Sequence, residues 1–305
     1  MEASGRLGNL VGERLVQLVA TVYLNGSFLP DDEACVPVLD RGFIFGDGVY
    51  EVIPAYGGHL FRLEQHLERL DNSLAGIRLE NPMSHAKWSE VLNEVIQRNA
   101  NGQDQSVYLQ VTRGVAKRDH AFPDQVEQTV FVMSNPMGAV PDTLMQNGIS
   151  AITHEDIRWR YCHIKSIALL PNTLMRQAAR DAGAAEAILF RDDQITEGAA
   201  SNVFIVKNGT ILTPRKDECL LPGITRDLIL EIASDAGLAC NEADITIEQL
   251  RDADEIWVTS STKEILPVTQ LDRTPVGDGT PGSAWRDMLD RYQQHKKLLR
   301  DGSAC

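Results

Sequence analysis

The spacing of apolar residues changes period several times along this chain, and each change marks an element. Residues 22–24 and 27–30 read as two strands around Asn25-Gly26, a dipeptide that tolerates the left-handed backbone of a tight hairpin. Residues 49–56 and 59–61 repeat the pattern around Gly57-Gly58. The period then becomes helical, with Leu63, His66, Leu67, Leu70, Leu74 and Ile77 on one face. Asn81-Pro82 breaks that helix. Ser84 is placed to cap a second one, whose apolar face is Trp88, Val91, Leu92, Val95 and Ile96. Asn101-Gly102 ends it, and strands follow over 107–113 and 129–133.

Pro and Gly then cluster in a segment that reads as a linker, 135–142. Beyond it, strands are predicted over 185–191, 202–207, 210–213, 255–260 and 267–271, and helices over 225–236 and 283–299. Asn208-Gly209 turns the second of these strands into the third. The whole reads as a two-domain α/β (α+β) protein. A small domain spans 21–134, a large one 143–305, and a ligand site lies between them. The first 20 residues read as an added arm or helix.

Composition narrows the function. With 305 residues and 43% hydrophobic content, the chain can bury a core without staples. Its 29 basic against 43 acidic residues leave a net charge of -14, a poor match to nucleic acid. An anionic substrate would need cations supplied locally. The five cysteines are scattered, with no CxxC, so neither a disulfide framework nor a metal site is expected. No apolar run is long enough for a membrane span, and the start lacks the order of a signal peptide. A cytoplasmic protein is expected.

Four segments carry more polar chemistry and glycine than a core needs. In Asp40-Arg41-Gly42-Phe43-Ile44-Phe45-Gly46-Asp47-Gly48-Val49-Tyr50-Glu51, the glycines make a tight turn, and Tyr50 just past them can project a hydroxyl into a site. Arg118 and His120 follow a strand. They read as a solvated basic loop or as a clamp on a carboxylate. Lys165 sits among apolar residues. It is either an edge-strand lysine reaching outward, or one on a buried strand held in a neutral, nucleophilic state. Glu197 precedes Gly198-Ala199-Ala200-Ser201, an ordinary turn or room for a flat ligand. Two further places suit an anion: the helix start at Gly223-Ile224-Thr225, and the hydroxyl run Thr259-Ser260-Ser261-Thr262.

Taken in order, these segments resemble fold-type IV pyridoxal 5'-phosphate (PLP) enzymes. That family includes D-amino acid transaminases, branched-chain L-aminotransferases and aminodeoxychorismate lyases. RGFIFGDGVYEV, VTRGVAKRDHAFP, EDIRW with IKS, TEGAASNVF, LPGITRD and VTSSTKEI carry the resemblance, which runs from about Val22 to the end. Arg118-Asp119-His120 is similar to the Arg-x-His carboxylate trap of the D-amino acid branch, which branched-chain enzymes do not share.

The resemblance implies a role for each position. Lys165 would bond covalently to PLP in an aldimine and later carry the proton, and Glu197 would pair with the pyridine nitrogen. Arg69, Ile224, Thr225 and Ser261 would hold the phosphate, with Leu221 against the ring. Tyr50, Arg118 and His120 would hold the substrate carboxylate, the last two reaching across a homodimer. The larger domain would carry the cofactor. The implied reaction is transfer of the amino group of D-alanine, or another D-amino acid, to a 2-oxo acid such as 2-oxoglutarate, with ping-pong kinetics. The alternatives are a branched-chain L-amino acid or (R)-amine transaminase, an aminodeoxychorismate lyase, and a non-catalytic PLP-binding protein. The sequence departs from the family pattern at Ala200, where a hydroxyl is missing, and at His163 and Pro171-Asn172.

Overall fold

A computed structural model describes residues 20–300. The arm expected over 1–20 lies, apart from Ala20, outside the described residues. The first half contains β1 (Thr21–Leu24), β2 (Ser27–Pro30), α1 (Arg41–Phe45), β3 (Gly48–Tyr56), β4 (His59–Leu60), α2 (Leu63–Gly76), α3 (His85–Arg98), β5 (Asp104–Thr112) and β6 (Thr129–Met137). Its strands form one antiparallel sheet in the order β2-β1-β6-β5-β3-β4. The helical stripe read from sequence is the buried one. Leu67, Leu70 and Leu74 of α2, with Trp88, Val91, Leu92 and Val95 of α3, pack on Val49, Ile53, Val107, Leu109, Val111 and Val132 of the sheet. Ser84 caps α3 by accepting from the Lys87 N–H at 3.2 Å.

The second half contains α4 (Asp142–Asn147), β7 (Ile149–Glu155), α5 (Leu170–Asp181), β8 (Glu186–Arg191), β9 (Gln194–Gly198), β10 (Asn202–Lys207), β11 (Thr210–Pro214), α6 (Ile224–Asp235), β12 (Cys240–Ala243), α7 (Ile247–Arg251), β13 (Glu255–Ser260), β14 (Glu264–Leu271), β15 (Thr274–Pro275) and α8 (Ser283–Arg300). A mixed sheet runs β12-β11-β10-β13-β14-β7-β8-β9, with β15 paired to β14. Central strand β10 is apolar on both faces because both are covered. Val203 and Ile205 enter one core, while Phe204 and Val206 enter another beneath α6 and α8. Tyr56 and Phe61 of the first half join that second core, and the Phe61 ring meets Tyr292 of α8 edge-on at 6.0 Å.

Four local expectations change. The glycine-rich turn contains a short helix, α1, whose first turn is capped by Asp40 accepting from the Gly42 N–H at 2.7 Å. β6 continues to Met137, three residues into the segment read as a linker. Pro136 is tolerated because β1 pairs with β6 only at Phe131 and Val132, so no ladder bond is lost on that side. Lys165 is half-buried in an irregular segment, not on a strand. Its apolar neighbours point to separate glycine gaps: Ile164 fills the space where a Gly76 side chain would stand, and Ile167 the space at Gly48. Glu197 lies near the end of β9, where a polar turn was one reading.

Candidate active site

A cavity of about 500 Å³ opens between the halves. Tyr50, Arg69, Lys165, Glu197, Leu221, Ile224, Thr225 and Ser261 all line it. They come from segments spread over most of the described chain, so the fold alone brings them together. Arg118 and His120 do not line it; both are exposed on the loop after β5.

The lysine is held by its backbone. Its N–H donates to Ser73 Oγ at 3.1 Å, and its carbonyl accepts from the Tyr50 N–H at 3.0 Å. The amine is left to the cavity, with Nζ 4.3 Å from the centroid of the Tyr50 ring. Cys162 also lines the cavity, but burial pushes its thiol up to about 12, so it does not compete as a nucleophile.

Glu197 is buried and hydrogen-bonded through both oxygens. One oxygen accepts from Arg158 Nη1; the other accepts from the Leu221 N–H at 3.1 Å and Asn202 Nδ2 at 3.2 Å. Burial pushes its carboxyl above the ordinary carboxylate range, and Arg158 pulls against that shift. Burial works against charge on Arg158 too, yet Glu197 and Asp156 more than offset it. Asp156 grips Arg158 through Nε at 2.9 Å and Nη2 at 2.8 Å. Sequence reasoning gave Arg158 and Asn202 no role. The available signal was Asp156-x-Arg158, two opposite charges at the start of the segment that leads to the lysine.

The wall of the cavity next to Glu197 suits an anion. α6 starts at Ile224, and a helix start directs N–H groups outward. Gly223, its N-cap, must be glycine, because a Cβ there would meet Asn202 Oδ1 at 1.9 Å. This close approach sets the helix start beside the carboxylate that Asn202 holds. Arg69 is anchored there by three of its five N–H groups: Nε and Nη2 bind Glu51 at 2.8 Å, and Nη1 donates to the Pro222 carbonyl at 2.8 Å.

These residues fit the cofactor implied by the resemblance. An amine, a buried carboxylate and an anion cradle face one cavity. Thr259, also on its wall, is 2% exposed, and its Oγ1 has no hydrogen-bond partner. A buried hydroxyl without a partner is uncommon, and a polar group bound in the cavity would give it one.

Known proteins are similar to this chain in sequence and in fold. The amino-transferase class IV family model matches residues 48–271. The D-alanine aminotransferase of Bacillus licheniformis is 42% identical over 272 residues, covering 89% of this chain and 95% of its own. That of Staphylococcus haemolyticus is 40% identical, covering 90% and 97%. Among solved structures, the Escherichia coli branched-chain amino acid aminotransferase has a TM-score of 0.86 at 27% identity, with 90% and 94% covered. The T.th. branched-chain amino acid aminotransferase, solved with pyridoxamine 5'-phosphate, has a TM-score of 0.85 at 28% identity, with 94% and 95% covered. Matched by that family model over most of its length and by relatives at about 40% identity, this chain belongs to the class IV aminotransferases.

Proposed function

We propose that the protein is a PLP-dependent D-amino acid transaminase, moving the amino group of D-alanine to a 2-oxo acid such as 2-oxoglutarate. The observation that carries this reading is the convergence of Lys165, Glu197 and the start of α6 on one cavity. The similarity to curated D-alanine aminotransferases at about 40% identity selects the substrate class.

In this reading Lys165 would hold the cofactor through its amine. Arg69, the N–H groups of Ile224 and Thr225, the Thr225 hydroxyl and Ser261 hold the phosphate. Leu221 packs on the ring. When bound, the cofactor supplies a conjugated ring that takes up the electron pair left on the substrate Cα. Glu197 would accept a hydrogen bond from the ring nitrogen; a carboxyl raised by burial, yet braced by Arg158, is suited to share that proton. The Lys165 amine would take the proton from the substrate Cα as a base and deliver it as an acid to the carbon that carried the cofactor aldehyde. Tyr50 meets the substrate carboxylate from within the same chain.

Arg118 and His120 act in this reading from the partner subunit of a homodimer. Their absence from the cavity of their own chain supports that assignment. So do the large apolar side chains left exposed on one chain, among them Val38, Phe43, Trp159, Tyr161, Leu170 and Leu174. The two sheets are read as two domains with the site between them. The reaction needs no membrane, and no helix among the described residues is long and apolar enough to cross one; a cytoplasmic enzyme fits.

The test is a single half-reaction. PLP-loaded protein mixed with D-alanine and no acceptor is expected to release one equivalent of pyruvate per site, and L-leucine is expected to yield no keto acid. Release from L-leucine alone would replace this reading with the branched-chain one that the matched solved structures raise. Arg118→Gln is expected to raise KM for D-alanine by about 10–100-fold, since it removes one charge-assisted pair. Glu197→Gln keeps the shape but loses the charge, and kcat for D-alanine is expected to fall about 10²-fold. An unchanged kcat would remove Glu197 from the mechanism.

A further inference from the structure

The segments 40–51 and 111–123 stood out separately in the sequence, and the structure joins them at Arg41. This arginine is 3% exposed. Its Nε donates to Asp47 Oδ2 at 2.7 Å. Its Nη1 donates to the carbonyls of Asp119 at 2.7 Å and Ala121 at 3.3 Å. Those carbonyls stand on either side of His120, and Asp119 separates it from Arg118. Asp47 Oδ2 also accepts from Arg113 Nε at 2.9 Å, and the Arg113 guanidinium lies 3.6 Å from the centroid of the Phe122 ring.

The base of the loop is fixed by the same segment. Arg41 N–H donates to the Gly114 carbonyl at 2.9 Å. Gly114 has φ +98°, and a Cβ there would meet the Glu127 carbonyl oxygen at 1.9 Å, so the loop closes only on glycine. Above the base, the Phe45 ring is shared. Arg41 Cζ lies 4.8 Å and Arg118 Cζ 5.3 Å from its centroid, and the His120 ring centroid lies 5.5 Å away.

We propose that Arg41, braced by Asp47, is a positioning residue for substrate carboxylate recognition. It fixes the backbone on both sides of His120, so that Arg118 and His120 stand together on Phe45 before substrate arrives. The inference rests on the reading that Arg118 and His120 bind the carboxylate. An exposed loop left to itself would lose freedom on each binding event, and that loss would weaken binding. A guanidinium suits the task because its planar fork can hold a carboxylate and carbonyls together; a lysine ammonium cannot span both. Arg41→Gln leaves Asp47 paired with Arg113, so the buried carboxylate keeps a partner.

The experiment compares Arg41→Gln, Arg41→Lys, Phe45→Leu and Arg118→Gln as holoenzymes. It measures kcat and KM for D-alanine and the inhibition constant of propionate, a carboxylate with no amino group. Arg41→Gln is expected to raise KM and the propionate constant together by about tenfold, with kcat nearly unchanged. Arg41→Lys and Phe45→Leu are expected to fall between it and the parent; they carry the test should Arg41→Gln not fold. A lowered kcat with KM unchanged would mark Arg41 as merely structural and overturn the inference. So would an unchanged KM in all three while Arg118→Gln raises it. If Arg118→Gln itself leaves KM unchanged, the carboxylate reading beneath the inference is what fails.

Discussion

Lys165→Ala is expected to lower kcat for D-alanine by about 10⁴-fold, the upper range for loss of a positioned acid–base group. The variant should still fold, because the segment is anchored by its backbone to Ser73 and Tyr50 and not by its side chain. It should still retain the cofactor to some degree, since the helix start at Ile224, Arg69 and the hydroxyls at Thr225 and Ser261 are untouched. Equilibrium dialysis then separates binding from turnover. Removing the side chain also leaves space beside Tyr50, so a small amine such as methylamine should restore part of the rate in proportion to its concentration. A variant that keeps activity within about tenfold of the parent would remove Lys165 as the proton carrier. Rescue with no dependence on amine concentration would say that the lost function is not proton transfer.

How much of this was legible in the sequence depended on how local each cause was. The α2 and α3 stripes were legible because one face packs on one sheet, and the period is set by that packing. Strand β10 was legible for the opposite reason, as a continuous apolar run between two cores. α5, β7 and β12 were not predicted. The β12 residues are half-exposed or exposed, and only Met175 and Ala179 of α5 are buried, too few to print a period. Lys165 was picked out for its apolar flanks, but those flanks fill gaps at two distant glycines, a tertiary cause that no local pattern encodes. At the site, the residues joined by the cavity were named from motifs. The Arg158 brace was not, because its partner Glu197 lies 39 residues away. Arg41 was hidden in the same way, as a buried arginine whose acceptors are backbone carbonyls about 80 residues on.

Glu51→Gln is expected to destabilise the cofactor-free protein by about 3–5 kcal/mol at neutral pH, the cost of leaving a buried charge without its partner. Glu51 is wholly buried. It binds Arg69 through both oxygens at 2.8 Å and meets His66 Nδ1 at 2.7 Å. Burial lowers the proton affinity of His66 against the pull of Glu51, so the imidazole is neutral and donates from Nδ1. The charge on Glu51 therefore answers Arg69 almost alone. Burial opposes that charge, but Arg69 outweighs it and holds the carboxyl well below its ordinary value of 4.5. A lowered carboxyl contributes stability that is fully present above the unfolded value and is lost as the pH falls through the folded one. The gap between parent and Glu51→Gln should thus hold steady from pH 7 to about 4.5 and narrow below that. Urea midpoints across that range read it directly, and a gap independent of pH would mean that Glu51 is not the ionised partner. The cofactor gives a second reading of the same charge. Its phosphate carries negative charge to the end of the cavity that Arg69 lines, so PLP should raise the stability of Glu51→Gln by more than it raises the parent's.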